Sequence, residues 1–107
     1  MTEATAGAGP GFGARLQAAV EARSSQIVLG LDPDPARLWP GGDDGGTGGP
    51  ADRAAAAVAA HCRAVIDAAG DACVAVKPQL ACFERLGAPG WAALAAFGIT
   101  ALVTGRL

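Results

Sequence analysis

The stretch VAVKPQ, residues 74–79, sets Lys77 at the end of an apolar, partly β-branched run. It is the only lysine; the rest of the 8 basic residues are arginines. A lysine is a compact, titratable point charge, whereas arginine is a fixed planar fork, so the choice is chemically specific. The run reads as a strand over 72–77, stopped by Pro78. A similar stretch lies upstream. IVLGL, residues 27–31, reads as a short buried strand, followed at once by Asp32 and the prolines Pro33 and Pro35, which fix an extended turn. Between the two runs lies a long alanine-rich helix, expected over 52–69, with Asp52 as N-cap or first-turn acid and Gly70 as its stop. Strand, helix, strand defines a βαβ unit with a parallel sheet, hence an α/β fold.

The rest of the chain continues the alternation. Phe12, Leu16, Ala19 and Val20 recur at helical spacing and predict a helix over 12–23, preceded by a flexible lead-in over 1–11. LACFERLG (80–87) predicts a short helix. APGWAALAAF (88–97) predicts another, with Pro89 in its first turn. ITALV (99–103) is the candidate third strand. A parallel sheet needs cover on both faces, and two or three strands cannot close a barrel. An eight-stranded β/α barrel takes roughly 250 residues. The expectation is therefore two to three βα units of an incomplete (β/α)8 barrel, with 12–107 as one partial barrel domain.

Composition narrows the function. The chain has 107 residues and a net charge of −2, with few large core-formers: 3 Phe, 2 Trp and no Tyr. That balance argues against capture of nucleic acid or an anionic membrane, both of which need clustered cations. The beginning lacks the basic and apolar regions of a secretory signal. The most apolar helix carries His61, Arg63 and Asp67 and is too polar to span a bilayer. Cys62, Cys73 and Cys82 are odd in number and lack metal-site spacing, so they read as reduced thiols in a cytoplasmic protein. No metal site is expected. GGDDGGTGGP (41–50) lacks the phosphate-loop pattern and follows a turn rather than a strand, so it reads as a surface insertion.

The chemistry concentrates at two strand ends. Asp32 and Lys77 lie 45 positions apart, yet parallel strands bring their carboxyl ends to one edge, where α/β enzymes place their sites. An ammonium and a carboxylate there can form an ion pair or hydrogen-bond sugar hydroxyls. Gln79 is placed to join that network. His61 has no partners for metal ligation at helical spacing. Trp39 and Trp91 read as cover for core edges, and Glu84 and Arg85 as an exposed helix face.

At these residues a resemblance emerges. Phe12, Arg15 and Leu16, then Leu29 to Pro33 (LGLDP), then Val76 to Gln79 with Ala81, Phe83, Glu84, Gly87 and Gly90, resemble the orotidine 5′-phosphate decarboxylases, in particular the longer-chain bacterial subgroup. The resemblance covers most of 12 to about 95. It implies a β/α barrel that converts orotidine 5′-monophosphate to uridine 5′-monophosphate and CO2 in pyrimidine synthesis, with no metal or organic cofactor. It also implies that full-length members are homodimeric. Asp32 would contact the ribose hydroxyls, and Lys77 would bond the ribose and join an alternating charge network. The family's proton-donor lysine belongs to a D-x-K-x-x-D motif that this sequence lacks. The chain is therefore expected to be an N-terminal fragment, from a truncated or frameshifted reading frame, inactive alone. Two other readings stand beside it: another phosphosugar-handling barrel, such as a hexulose-phosphate synthase relative, and a non-catalytic truncated remnant.

Overall fold

A computed structural model describes residues 9–38 and 47–103, with side chains to 97. The elements run α1 (Phe12–Arg23), β1 (Val28–Leu31), α2 (Pro50–Ala69), a 3-10 turn (Gly70–Ala72), β2 (Ala75–Pro78), α3 (Ala81–Glu84) and α4 (Ala88–Val103). β1 and β2 pair in parallel, with Val28 opposite Ala75, Leu29 opposite Val76, Gly30 opposite Lys77 and Leu31 opposite Pro78. The ladder extends past both ends: the Val74 N–H donates to Ile27 O, and the Gln79 N–H donates to Leu31 O, each at 2.9 Å. The α/β architecture and the βαβ connection are as the sequence implies.

α2 is the crossover that makes parallel pairing possible. It starts at Pro50, two residues earlier than the pattern of apolar residues implied. Proline suits the first helical position because its missing N–H would be unsatisfied there anyway. Gly49 is the N-cap, and Asp52 is the first-turn acid. The Asp52 carboxylate accepts the Gly49 N–H at 3.1 Å. Gly48, at φ 90°, has no room for a side chain, because a Cβ would lie 2.8 Å from Asp52 Cβ. This capping assembly takes up the end of the 41–50 segment; 41–46 lie outside the described residues, as do Trp39 and the 1–8 part of the lead-in.

One face of α2 carries Ala55, Val58, Ala59, Cys62 and Ile66, all buried. Val58, Cys62 and Ile66 form the core with Leu31, Phe83 and Phe97, and Leu29, Val76, Cys82, Leu86 and Leu94 pack against it. The Phe83 and Phe97 rings sit 5.6 Å apart, tilted by 32°, within the favourable range for aromatic pairs. Ala55 and Ala59 of α2 meet Ala93 of α4. Side chains this small let the two helices approach closely.

Three expectations need correction. The ITALV segment is helix, not a third strand: α4 runs on through 99–103. Nothing between Phe97 and Ile99 breaks a helix except Gly98, and an isolated interior glycine costs only about 1 kcal/mol relative to alanine. The β-branched residues lower helix propensity too little to stop propagation. The 27–31 strand is buried only in part: Leu31 is in the core, but Val28 is 52% and Ile27 59% exposed. Among the described residues helices cover one face of the sheet, and the other is open. Trp91 does not seal a core edge; it is 43% exposed.

α1 buries no residue of its own. Ser24, in the left-handed conformation at φ 50°, ends it. Its C-terminal end is tied to the segment before β2, where Arg23 Nη1 donates to Cys73 O at 2.6 Å and the Ser25 hydroxyl donates to Ala72 O.

Two predictions follow from the core. Gly90 sits where α4 meets α3: a Cβ there would collide with Phe83 O and lie 2.9 Å from Leu86 Cβ. Gly90→Ala should destabilise the fold by about 1–3 kcal/mol, the usual cost of overpacking, read by thermal denaturation; an unchanged midpoint would show that α4 does not dock this way. The second concerns Cys62. Burial, then the neighbouring Cys82, push its thiol up to about 12, with Arg63 opposing. A thiol raised in the folded state stabilises below its unfolded pKa near ~8.5 and loses that contribution as pH rises toward the folded value. Stability should fall above about pH 9 by at most about 1.4 kcal/mol per pH unit. Cys62→Ala should flatten that limb in pH-dependent denaturation, at the cost of a lower plateau.

Candidate functional site

Alternation along paired strands decides which side chains share a face. Leu29, Leu31 and Val76 belong to the helix-covered face, where they join the core. Val28 and Gly30 on β1, and Ala75 and Lys77 on β2, therefore belong to the open face. Asp32 and Gln79, one step past the strands, continue the same alternation. The carboxylate of Asp32 folds back over Gly30: its Oδ2 lies 3.8 Å from where a Gly30 Cβ would be. Gly30 is the register partner of Lys77. The structure thus brings Asp32 and Lys77 to one edge and one face, diagonally placed, with a side-chain-free glycine beneath them. Asp32, Lys77 and Gln79 are all exposed.

The expected Asp32–Lys77 ion pair does not form. Among the described residues neither side chain makes an ion pair or a side-chain hydrogen bond. The physical reason is solvation: two exposed charges gain little from pairing and lose rotamer freedom in doing so. Both keep their full hydrogen-bonding capacity.

The backbone around them is more constrained. Pro33 is buried, and Asp34 closes a turn in which its Oδ1 accepts the Ala36 N–H at 2.9 Å while its carbonyl accepts the Arg37 N–H at 2.8 Å. Arg85, directly after α3, reaches back to this loop. Its Nη2 donates to Pro33 O at 3.1 Å and stands 3.8 Å from Asp34 Oδ1. The sequence reading placed Arg85 on an exposed face; it is exposed, yet it bridges 52 positions of sequence. No local pattern signals such a contact. Only the shared strand edge, joining the residues after β1 to those after β2, could have pointed to it. Glu84 is exposed, as expected. Among the described residues no group of three or more His, Cys, Asp or Glu could hold a metal, and no helix is long and apolar enough to cross a membrane.

A parallel βαβ unit with polar side chains at the carboxyl ends of both strands defines an α/β protein of the kind that carries its site at that edge. Comparison with known proteins narrows the class. The chain is 43% identical over 72 residues to an orotidine 5′-phosphate decarboxylase of Ralstonia pickettii (strain 12J), covering 67% of this chain and 23% of that protein. It is 43% identical over 70 residues to one of Roseiflexus sp. (strain RS-1), covering 65% and 22%. It is 36% identical over 86 residues to one of Herpetosiphon aurantiacus, covering 78% and 28%. No family model and no solved structure matches the chain. The chain is thus similar to orotidine 5′-phosphate decarboxylases over 65–78% of its own length, and it spans about a quarter of the length of these relatives.

Because Asp32 and Lys77 carry no structural bond, their replacement should leave the fold intact. Asp32→Asn and Lys77→Ala should each change unfolding free energy by no more than about 0.5 kcal/mol, as for ordinary surface positions. A larger loss in chemical denaturation would assign the pair a structural role instead.

Proposed function

We propose that this chain is part of an orotidine 5′-phosphate decarboxylase and supplies the ribose-binding edge of its active site. The whole enzyme would be a (β/α)8 barrel acting without metal or organic cofactor on orotidine 5′-monophosphate, homodimeric and cytoplasmic. The observation that carries the reading is the placement of Asp32 and Lys77 on one open face at the carboxyl ends of two paired parallel strands, within sequence related to that family. A ribose presents vicinal hydroxyls, each a donor and an acceptor. Ionised Asp32 accepts and protonated Lys77 donates, so together they match that diol, and Gln79 can add an amide contact. The bare Gly30 leaves room for the sugar.

The chemistry of decarboxylation needs more. When CO2 leaves, negative charge builds on the pyrimidine ring carbon, where it must be stabilised and then protonated. Lys77 is the only lysine of the chain, and in this reading it is engaged with the ribose and the charge network. The proton donor of the D-x-K-x-x-D motif is not among these 107 residues. The chain by itself therefore binds and does not turn over.

The test is titration of the 15N-labelled chain with uridine 5′-monophosphate, followed by NMR. Resonances of Asp32, Lys77 and Gln79 should shift. Lys77→Ala should weaken binding by about tenfold to a hundredfold, the loss of one charge-assisted hydrogen bond. Carboxyl-labelled orotidine 5′-monophosphate should release no CO2 above the Lys77→Ala control. Shifts confined to other regions, or release of CO2 by the chain alone, would refute the assignment.

A further inference from the structure

We infer that Arg85 is a positioning residue that holds Asp32 in place relative to Lys77. The inference rests on the ribose-binding reading for its purpose, but its geometry stands apart from it. Asp32 lies between Leu31 and Pro33, and the carbonyls of both neighbours accept hydrogen bonds from the segment that follows Lys77. Leu31 O accepts the Gln79 N–H at 2.9 Å. Pro33 O accepts Arg85 Nη2 at 3.1 Å. The first bond is the last rung of the sheet. The second has no backbone substitute, because the chain after β1 has left the ladder and turned away.

Arg85 is itself well anchored. Its N–H donates to Ala81 O at 3.2 Å, which caps α3. Phe83, two residues earlier, is completely buried in the core. Cys82 N–H donates to Gln79 O at 3.0 Å, so the cap, α3 and the end of β2 form one short hydrogen-bonded unit. The guanidinium therefore extends from a fixed base at the end of α3, the helix that follows the Lys77 strand. One nitrogen serves both the Pro33 carbonyl and, at 3.8 Å, the Asp34 carboxylate. The Asp34 carboxylate in turn shapes the turn through the Ala36 N–H. On the C-terminal side of Asp32, Pro33 limits rotation and the Arg85 bond to its carbonyl limits displacement; on the N-terminal side the Gln79 bond to Leu31 O does the same. Lysine in place of arginine would keep one positive donor, so the conservative change should preserve the contact in part.

The test uses the full 15N-labelled chain and three variants: Arg85→Ala, Arg85→Lys and Asp32→Asn. Backbone relaxation reports the order parameter at Asp32, and titration with uridine 5′-monophosphate reports affinity. In Arg85→Ala the order parameter at Asp32 should fall from about 0.85 toward about 0.6, the values of rigid and flexible backbone. The residues of α2 should be unaffected. The dissociation constant should rise by about threefold to tenfold, as expected for loss of one hydrogen bond. Arg85→Lys should recover most of both. An Asp32 order parameter unchanged in Arg85→Ala would overturn the inference, as would a loss of order spread equally through α2. If Asp32→Asn bound the nucleotide as tightly as the unaltered chain, the ribose reading would fail, while the order parameter would still decide the role of Arg85.

Discussion

The parallel register of β1 and β2 is the constraint on which everything else depends. It sets Gly30 against Lys77 and, one step further, Asp32 beside Gln79. Side chains alternate with a period of two, so a slip of one residue would carry Lys77 to the helix-covered face. There it would meet Val58, Ile66 and Phe83, and an unpaired ammonium among them would cost far more than any single packing contact returns. The same slip would bring Val76, from the same strand, out into water. Apolar burial on one face therefore fixes the position of charge on the other. Neither Asp32 nor Lys77 makes a side-chain bond that holds the register, and both side chains face solvent.

That selection requires the helices to lie close to the sheet. α2 carries an alanine-rich face, and α4 meets it at Ala93, so the two helices need little space between them. Gly90 allows the first turn of α4 to touch the Phe83 carbonyl. These small residues hold Phe83 and Phe97 against Leu31, at the end of β1. Leu31 immediately precedes Asp32, so packing at the core centre and the placement of the site are one residue apart. The transmission is short and rigid, and the rigid part is backbone rather than side chain.

Much of this was legible in the sequence. The pattern of Phe12, Leu16, Ala19 and Val20 marked α1 to the residue, and the two apolar runs followed by proline marked both strands, although β2 starts at Ala75 after the 3-10 turn rather than at 72 and ends on Pro78 instead of before it. Asp32 and Lys77 stand out as candidates because each closes such a run, and the structure sets both at one strand edge. The failures share a cause: the deciding information was not local. The ITALV segment has strand-forming residues, but helix already in progress continued through it. The partial exposure of β1 depends on what covers the second face of the sheet, which no residue of β1 encodes. Arg85 looks like any surface arginine until the loop after β1 is set beside it. Asp52 carried a correct signal for a helix start and left its position uncertain, because an acid can serve at the cap or three residues in, and Pro50 with Gly49 decided between them.

The separation of Asp32 from Lys77 gains meaning when set against the alternative. Had they paired, each would satisfy the other, and a ligand would have to break that bond before forming its own. Affinity would then be reduced by the strength of the pair. Held apart on hydrogen-bonded backbone, with glycine between, they offer an acceptor and a donor that no other group of the described residues occupies. The cost is borne elsewhere, in two prolines and one long-range arginine contact that give up flexibility in the loop. Preorganisation of this kind requires that backbone position be fixed while the functional side chains stay unengaged. In this chain the two demands are met by different residues: Pro33, Gln79 and Arg85 restrain the backbone, and Asp32 and Lys77 remain open to solvent. In the ribose-binding role proposed above, that division would suit a sugar diol, which needs one donor and one acceptor.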